Sequence, residues 1–191
     1  MLGMIRNSLF GQHEETPYKL LSSETKDGVS YEVRRYEGGR FASVESEGRG
    51  FDEVAGESMK KLLKYVGGSN DRGQGLGMTA PVCITAFLRD DGSWTRRFIF
   101  GLRVPSGFQE SPPVPTETGV RIDDRPGMTV YALQFGGFAK EVDYRTQAAR
   151  LATALGDSAP YQRGLYLCCG YDPPMKPYGR RNEVWFLQEE P

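Results

Sequence analysis

Apolar residues along this chain recur with two different periods, and each period predicts a different element. From residue 51 to 66, Phe51, Val54, Ala55, Met59, Leu62, Leu63 and Val66 return at three- and four-residue intervals, which predicts an amphipathic helix over 51–66. Tyr144, Ala148, Leu151 and Leu155 form a second helical stripe and predict a helix over about 139–155. Elsewhere the apolar residues fall in short β-rich runs, at 18–23, 83–89, 95–103, 165–169 and 183–188. Many short strands with two helices predict an α+β domain whose pairing is mostly antiparallel.

The pattern also repeats. A displacement of 89 positions lays Tyr31 on Val120, Gly38 on Gly127, Val44 on Leu133, Gly48 on Gly137, Leu62 on Leu151 and Gly67 on Gly156 without a gap. Residues 31–67 and 120–156 thus share one order of strand, glycine turn, strand and helix. Neither half has enough sheet to cover its own helix, so the expectation is a single domain over 1–191 with two halves about a pseudo-twofold axis. Gly38-Gly39 and Pro126-Gly127 are expected to make tight reversals with positive φ, and Gly67 and Gly156 to cap the helices in the left-handed region.

Three segments interrupt the rhythm. Residues 67–78 are rich in glycine, but they follow a helix and lack the Lys-Ser/Thr pair of a phosphate loop. Residues 104–119 are rich in proline, and Pro112-Pro-Val-Pro115 suits a stiff connection between the halves. The late segment, 170–181, is chemically the richest. It sets Lys176, Arg180 and Arg181 beside Tyr171, Met175 and Tyr178, stiffened by Pro173, Pro174 and Pro177. Such a loop can lay apolar groups on a flat ring and aim cations at its carboxylates, or it is simply a solvated hairpin with a basic tip. On the first helix Met59 and Leu63 lie one turn apart at the edge of the apolar arc, with Lys60 and Lys64 beyond them. They form either a second wall for that ring or ordinary packing under a neighbouring loop.

Composition removes several functions. The chain of 191 residues carries 24 Lys plus Arg against 25 Asp plus Glu, so it lacks the basic excess of a nucleic-acid binder. Its one histidine, His13, excludes multi-histidine zinc sites, facial-triad iron and bis-histidine haem ligation. His13 lies in a polar stretch within an expected flexible segment of about 1–16, a poor place for a general base. No nucleophile, base and orienting group converge in the pattern, so no enzyme is expected. Three cysteines cannot all pair, and no run is long enough for a membrane span or signal core, which points to the reducing cytoplasm.

The chain resembles the SOUL, or haem-binding-protein, family. The marks are MLGMIRNSLFG at 1–11, GMTAPV at 77–82, VYALQFGGFAKE at 130–141 and GYDPPMKPYGRRNE at 170–183, spread in order along its whole length. The resemblance implies a distorted β-barrel with two helices outside it. It also implies that a monomer binds haem and other tetrapyrroles at an apolar patch formed by the first helix and the late loop. Carried onto this chain, the patch is Met59, Leu63, Lys64, Tyr171 and Lys176. The residues themselves add Lys60, Pro173, Pro174 and Met175. Gly56 is a departure, because the family carries arginine there.

The expected function is therefore reversible binding of haem or protoporphyrin, led by ring packing with no structural metal, for buffering or transport in the cytosol. Nucleic acid and membrane are not expected partners. Two alternatives stand beside it. The two-halved architecture also resembles effector-binding domains of bacterial regulators, which hold apolar cations, so a sensing or protein-interaction module is one. In relatives a released peptide resembling residues 1–21 is a chemoattractant, so a peptide precursor is the other.

Overall fold

The computed structural model describes residues 13–173 and 175–190. The N-terminal motif at 1–11, most of the peptide-precursor segment and Pro174 therefore lie outside the described residues. In chain order the elements are β1 (Glu14–Glu15), β2 (Tyr18–Lys26), β3 (Val29–Tyr36), β4 (Gly39–Glu47), α1 (Phe51–Gly67), β5 (Thr79–Ala80), β6 (Val82–Leu88) and β7 (Trp94–Arg103). A short turn of 3-10 helix (Ser106–Phe108) precedes β8 (Val120–Arg125), β9 (Met128–Phe135), α2 (Glu141–Leu155), β10 (Leu165–Gly170) and β11 (Asn182–Leu187). Nine strands form one antiparallel sheet in the order β2-β3-β9-β11-β10-β6-β7-β4-β8, while β1 and β5 pair separately and in parallel.

Apart from β2 at one edge, that order reads the same from both sides of its centre. The 89-residue displacement carries β3 to β8, β4 to β9, α1 to α2 and β7 to β11, and β6 and β10 lie side by side in the middle. The sheet is open, because β2 and β8 each have one neighbour, so the closed barrel implied by the resemblance is not found among the described residues.

Strand alternation sorts the side chains onto two faces. Ala42 and Val44, Ile84 and Ala86, Tyr166 and Cys168, and Val184 and Phe186 point to the helices, where they meet Phe51, Val54, Leu62, Tyr144 and Leu151. Phe51 sits at the middle of that core, with ring contacts to Trp94, Phe98, Phe100 and Tyr144. The opposite face carries a smaller cluster of Tyr36, Cys83, Leu167, Cys169, Tyr171 and Trp185.

The helix ends differ from the expectation by a residue or two, for physical reasons. Asp143 accepts from the Lys140 N–H at 2.9 Å and so fixes the start of α2 at Glu141, two residues beyond Ala139. Gly67 is the last residue of α1, and the positive φ falls on Gly68 instead, whereas Gly156 does cap α2 at φ 82°.

The turn glycines are required, but not for positive φ. Gly38 and Gly127 are absent from the positive-φ glycines. A Cβ on Gly38 would meet the Arg125 carbonyl at 2.7 Å and the Gly127 nitrogen at 2.9 Å. A Cβ on Gly127 would meet the Arg35 guanidinium at 2.8 Å and the Tyr36 carbonyl at 3.1 Å. The two turns, one from each half, thus pack backbone on backbone.

Candidate functional site

Residues 51–67 are helical through spacing, and α1 buries Val54, Ser58, Leu62, Tyr65 and Val66 on β4, β7 and β8. Acidic Asp52 and Glu53 in its first turn and Lys64 in its last suit the helix dipole. Met59 packs part-buried against the core, while Leu63 is 42% exposed. Lys60 is exposed and pairs with no carboxylate among the described residues; Lys64 reaches Glu117 only at 3.9 Å. Gly56 is exposed, and a Cβ there would meet nothing within 4 Å.

The late loop, between β10 and β11, is folded on itself. Asp172 accepts from the Lys176 ammonium at 2.9 Å and from the Arg181 N–H at 2.5 Å. Burial would raise its carboxyl, but these two donors and Arg180 hold it below the usual carboxylate range. Arg180 donates to the Pro173 and Lys176 carbonyls and lies over the Phe138 ring at 4.2 Å, pinning the loop to the start of α2. Met175, at 72% exposed, and Tyr178 project outward, whereas Pro173 is half-buried.

Tyr171 departs from the expected surface patch. It is 7% exposed, its hydroxyl donates to Glu183 at 2.6 Å, and the Arg181 guanidinium covers its ring at 3.7 Å. Burial, with the Glu183 charge second, pushes its phenol far above the ordinary range. The expected residues accordingly fall into separate groups. Met59, Lys60, Leu63 and Lys64 share α1; Pro173, Met175 and Lys176 share the loop; Tyr171 points to the helix-free face of the sheet. No hydrogen bond or ion pair joins the α1 group to the loop group among the described residues.

Two features escaped the residue patterns. Phe138 and Val142, 56% and 65% exposed, extend the outward apolar surface next to the loop. Inside, Glu183 is held by Arg34 through paired bonds of 2.7 and 2.9 Å and by the Trp185 N–H at 2.8 Å. Burial would raise the Glu183 carboxyl, and Arg34 outweighs it and holds the group below its usual range. The available signal was a lone acid within the apolar run of β11, which needs a buried partner.

No cluster of three His, Cys, Asp or Glu residues suited to a metal exists among the described residues. Burial pushes the Cys168 and Cys169 thiols well up, away from the thiolate that ligates iron. The described residues offer two stretches of outward apolar surface beside ammonium groups, Leu63 with Lys60 and Lys64 on α1 and Met175 with Lys176 in the loop.

The sequence model described as SOUL heme-binding protein matches residues 13–187. The chain belongs to this family. Heme-binding protein 1 of Mus musculus is 53% identical over 98% of this chain and 100% of its own, and that of Bos taurus is 52% identical over 98% of each. The family is named for binding haem and not for catalysis. The C-terminal domain of EcmrR shares the fold, with a TM-score of 0.61 at 12% identity over 84% of this chain and 98% of that one. Among the described residues, no helix is long and apolar enough to cross a membrane.

Proposed function

We propose that this SOUL-family protein binds haem and metal-free porphyrins reversibly, as a monomer in the cytosol, and buffers or carries free tetrapyrrole. The ring packs on Met59 and Leu63 of α1 and on Pro173 and Met175 of the late loop, with Lys60, Lys64 and Lys176 around it for the propionates. One observation carries this placement: Leu63 and Met175 are outward apolar side chains beside ammonium groups, in a chain whose relatives are named for haem.

Magnitudes favour ring packing over charge. Covering about 200 Å² of apolar surface is worth about 5 kcal/mol at about 25 cal/mol per Å². An exposed lysine-propionate pair contributes about 0–1 kcal/mol. Iron adds little on this reading, in keeping with the lack of a His, Cys, Asp or Glu cluster suited to a metal among the described residues. The rival reading, a pocket for an apolar cation, would use the carboxylate of Glu183 among Tyr36, Tyr171 and Trp185, but Arg34 already fills that place.

Parallel titrations of haem and protoporphyrin test the proposal. The two ligands bind within about tenfold of each other, Leu63→Asp weakens both by at least about tenfold, and His13→Ala changes neither. Haem binding far tighter than the metal-free ring, or indifference to Leu63→Asp, contradicts it.

A further inference from the structure

The helix-free face of the sheet encloses a cavity of about 490 Å³, on the opposite side of the strands from α1 and the proposed ring surface. Its floor is apolar, with Phe41, Ile99, Leu165, Leu167, Trp185 and Leu187 contributed by β4, β7, β10 and β11. Its charges are unbalanced in an informative way. Asp123 pairs with Arg121 at 3.0 Å, Asp124 with Arg40 at 3.2 Å and Glu190 with Arg35 at 3.1 Å; Glu37 is exposed at the rim. Arg103 and Arg125 also line the cavity, and neither has a carboxylate within 4 Å among the described residues.

Both guanidiniums are seated by design of the backbone beneath them. Arg125 donates to the Ser43 hydroxyl at 2.9 Å, lies over the Phe41 ring at 4.4 Å, and occupies the space that a Cβ on Gly101 would need. Arg103 lies against Gly39, where a Cβ would come within 2.8 Å of it. Arg125 thus reaches Gly101, which lies opposite Ser43, while Arg103 lies over Gly39, so the two cations sit on one face of β4 at separate positions along it. Burial lowers the Arg125 pKa, and the nearby Asp123 charge offsets this only in part. A part-buried guanidinium facing an apolar chamber is costly unless an anion meets it.

We infer that this cavity is a second binding site, for an apolar monocarboxylic acid whose carboxylate meets Arg125, with Arg103 further along β4 adding positive charge, and whose hydrocarbon lies against Leu165, Leu167 and Trp185. The site stands independently of the ring surface on α1, because the sheet separates them.

Calorimetric titration of the full chain with decanoate and with decan-1-ol tests it. Decanoate binds at least tenfold more tightly than the alcohol, and Arg125→Gln, folded by circular dichroism, loses that preference. Protoporphyrin does not displace decanoate. Should Arg125→Gln not fold, Arg103→Gln and the comparison of acid with alcohol on the unmodified protein carry the test. Absence of decanoate binding, equal binding of acid and alcohol, an unchanged preference in the variants, or displacement by protoporphyrin each overturns the inference.

Discussion

Arg34 and Glu183 face each other across the helix-free side of the sheet in a two-bond ion pair, at 2.7 and 2.9 Å, although 149 residues separate them in the chain. β9 lies between their strands, so the pair ties β3 to β11 over the top of a neighbour. Tyr171, Trp185 and Tyr36 complete the network, the last through a 3.1 Å bond from Arg34 and a ring stacked at 4.5 Å on Trp185.

Removing one member of such a pair leaves the other charge buried, which costs about 3–5 kcal/mol. Arg34 keeps Glu32 at 2.7 Å, so Glu183→Gln lowers unfolding free energy toward the lower end of that range at neutral pH in a denaturant titration. The sign of the pH dependence follows from the depressed Glu183 carboxyl. Its contribution is full above the unfolded glutamate pKa of about 4.3 and is lost as pH falls through the lower folded value. The difference between the two proteins accordingly narrows on acidification; a constant difference from pH 7 to pH 3 would contradict the pairing.

How much of this was legible in the sequence depends on the range of the interaction. The stripes Phe51 to Val66 and Tyr144 to Leu155 placed both helices, because helical periodicity is local, and α1 and α2 bury Phe51, Val54, Leu62, Val66, Tyr144, Ala148 and Leu151. The purpose of Gly38 and Gly127 was not legible, since their need for a missing side chain arises only when two distant turns meet. Tyr171 was assigned to the surface from the company of its loop neighbours; its partner Glu183 lies across the loop, and only the pairing of β10 with β11 brings them together. The tie between Lys176 and Asp172 is readable at i, i+4.

Gly56 offers a direct comparison of helix propensity and binding. Open space around it lets a side chain enter without collision. Gly56→Ala stabilises α1 by about 1 kcal/mol and raises Tm by about 2–4 °C. Gly56→Arg tightens porphyrin binding by up to about fivefold if the added cation meets a propionate, read by fluorescence quenching. Weaker binding in Gly56→Arg would show instead that the ring uses the vacant space beside Met59.

The lysines around the proposed ring surface are not equivalent. Lys176 is already neutralised by Asp172 at 2.9 Å, while Lys60 pairs with no carboxylate among the described residues. Lys60→Ala weakens protoporphyrin binding by up to about fivefold and reduces its salt dependence, whereas Lys176→Ala changes affinity by less than about twofold. A larger effect from Lys176 would mean that the loop opens on binding and releases it from Asp172.

The central claim is that a flat ring lies on α1 and the late loop, and amide chemical-shift mapping with protoporphyrin tests it most directly. The predicted result is a set of shifts concentrated at Met59, Lys60, Leu63 and Lys64 and at Met175 and Lys176, with Trp185 and Leu167 on the far face of the sheet unmoved. Shifts centred on Trp185, Leu167 and Arg125 instead would place the ring in the cavity and contradict the claim.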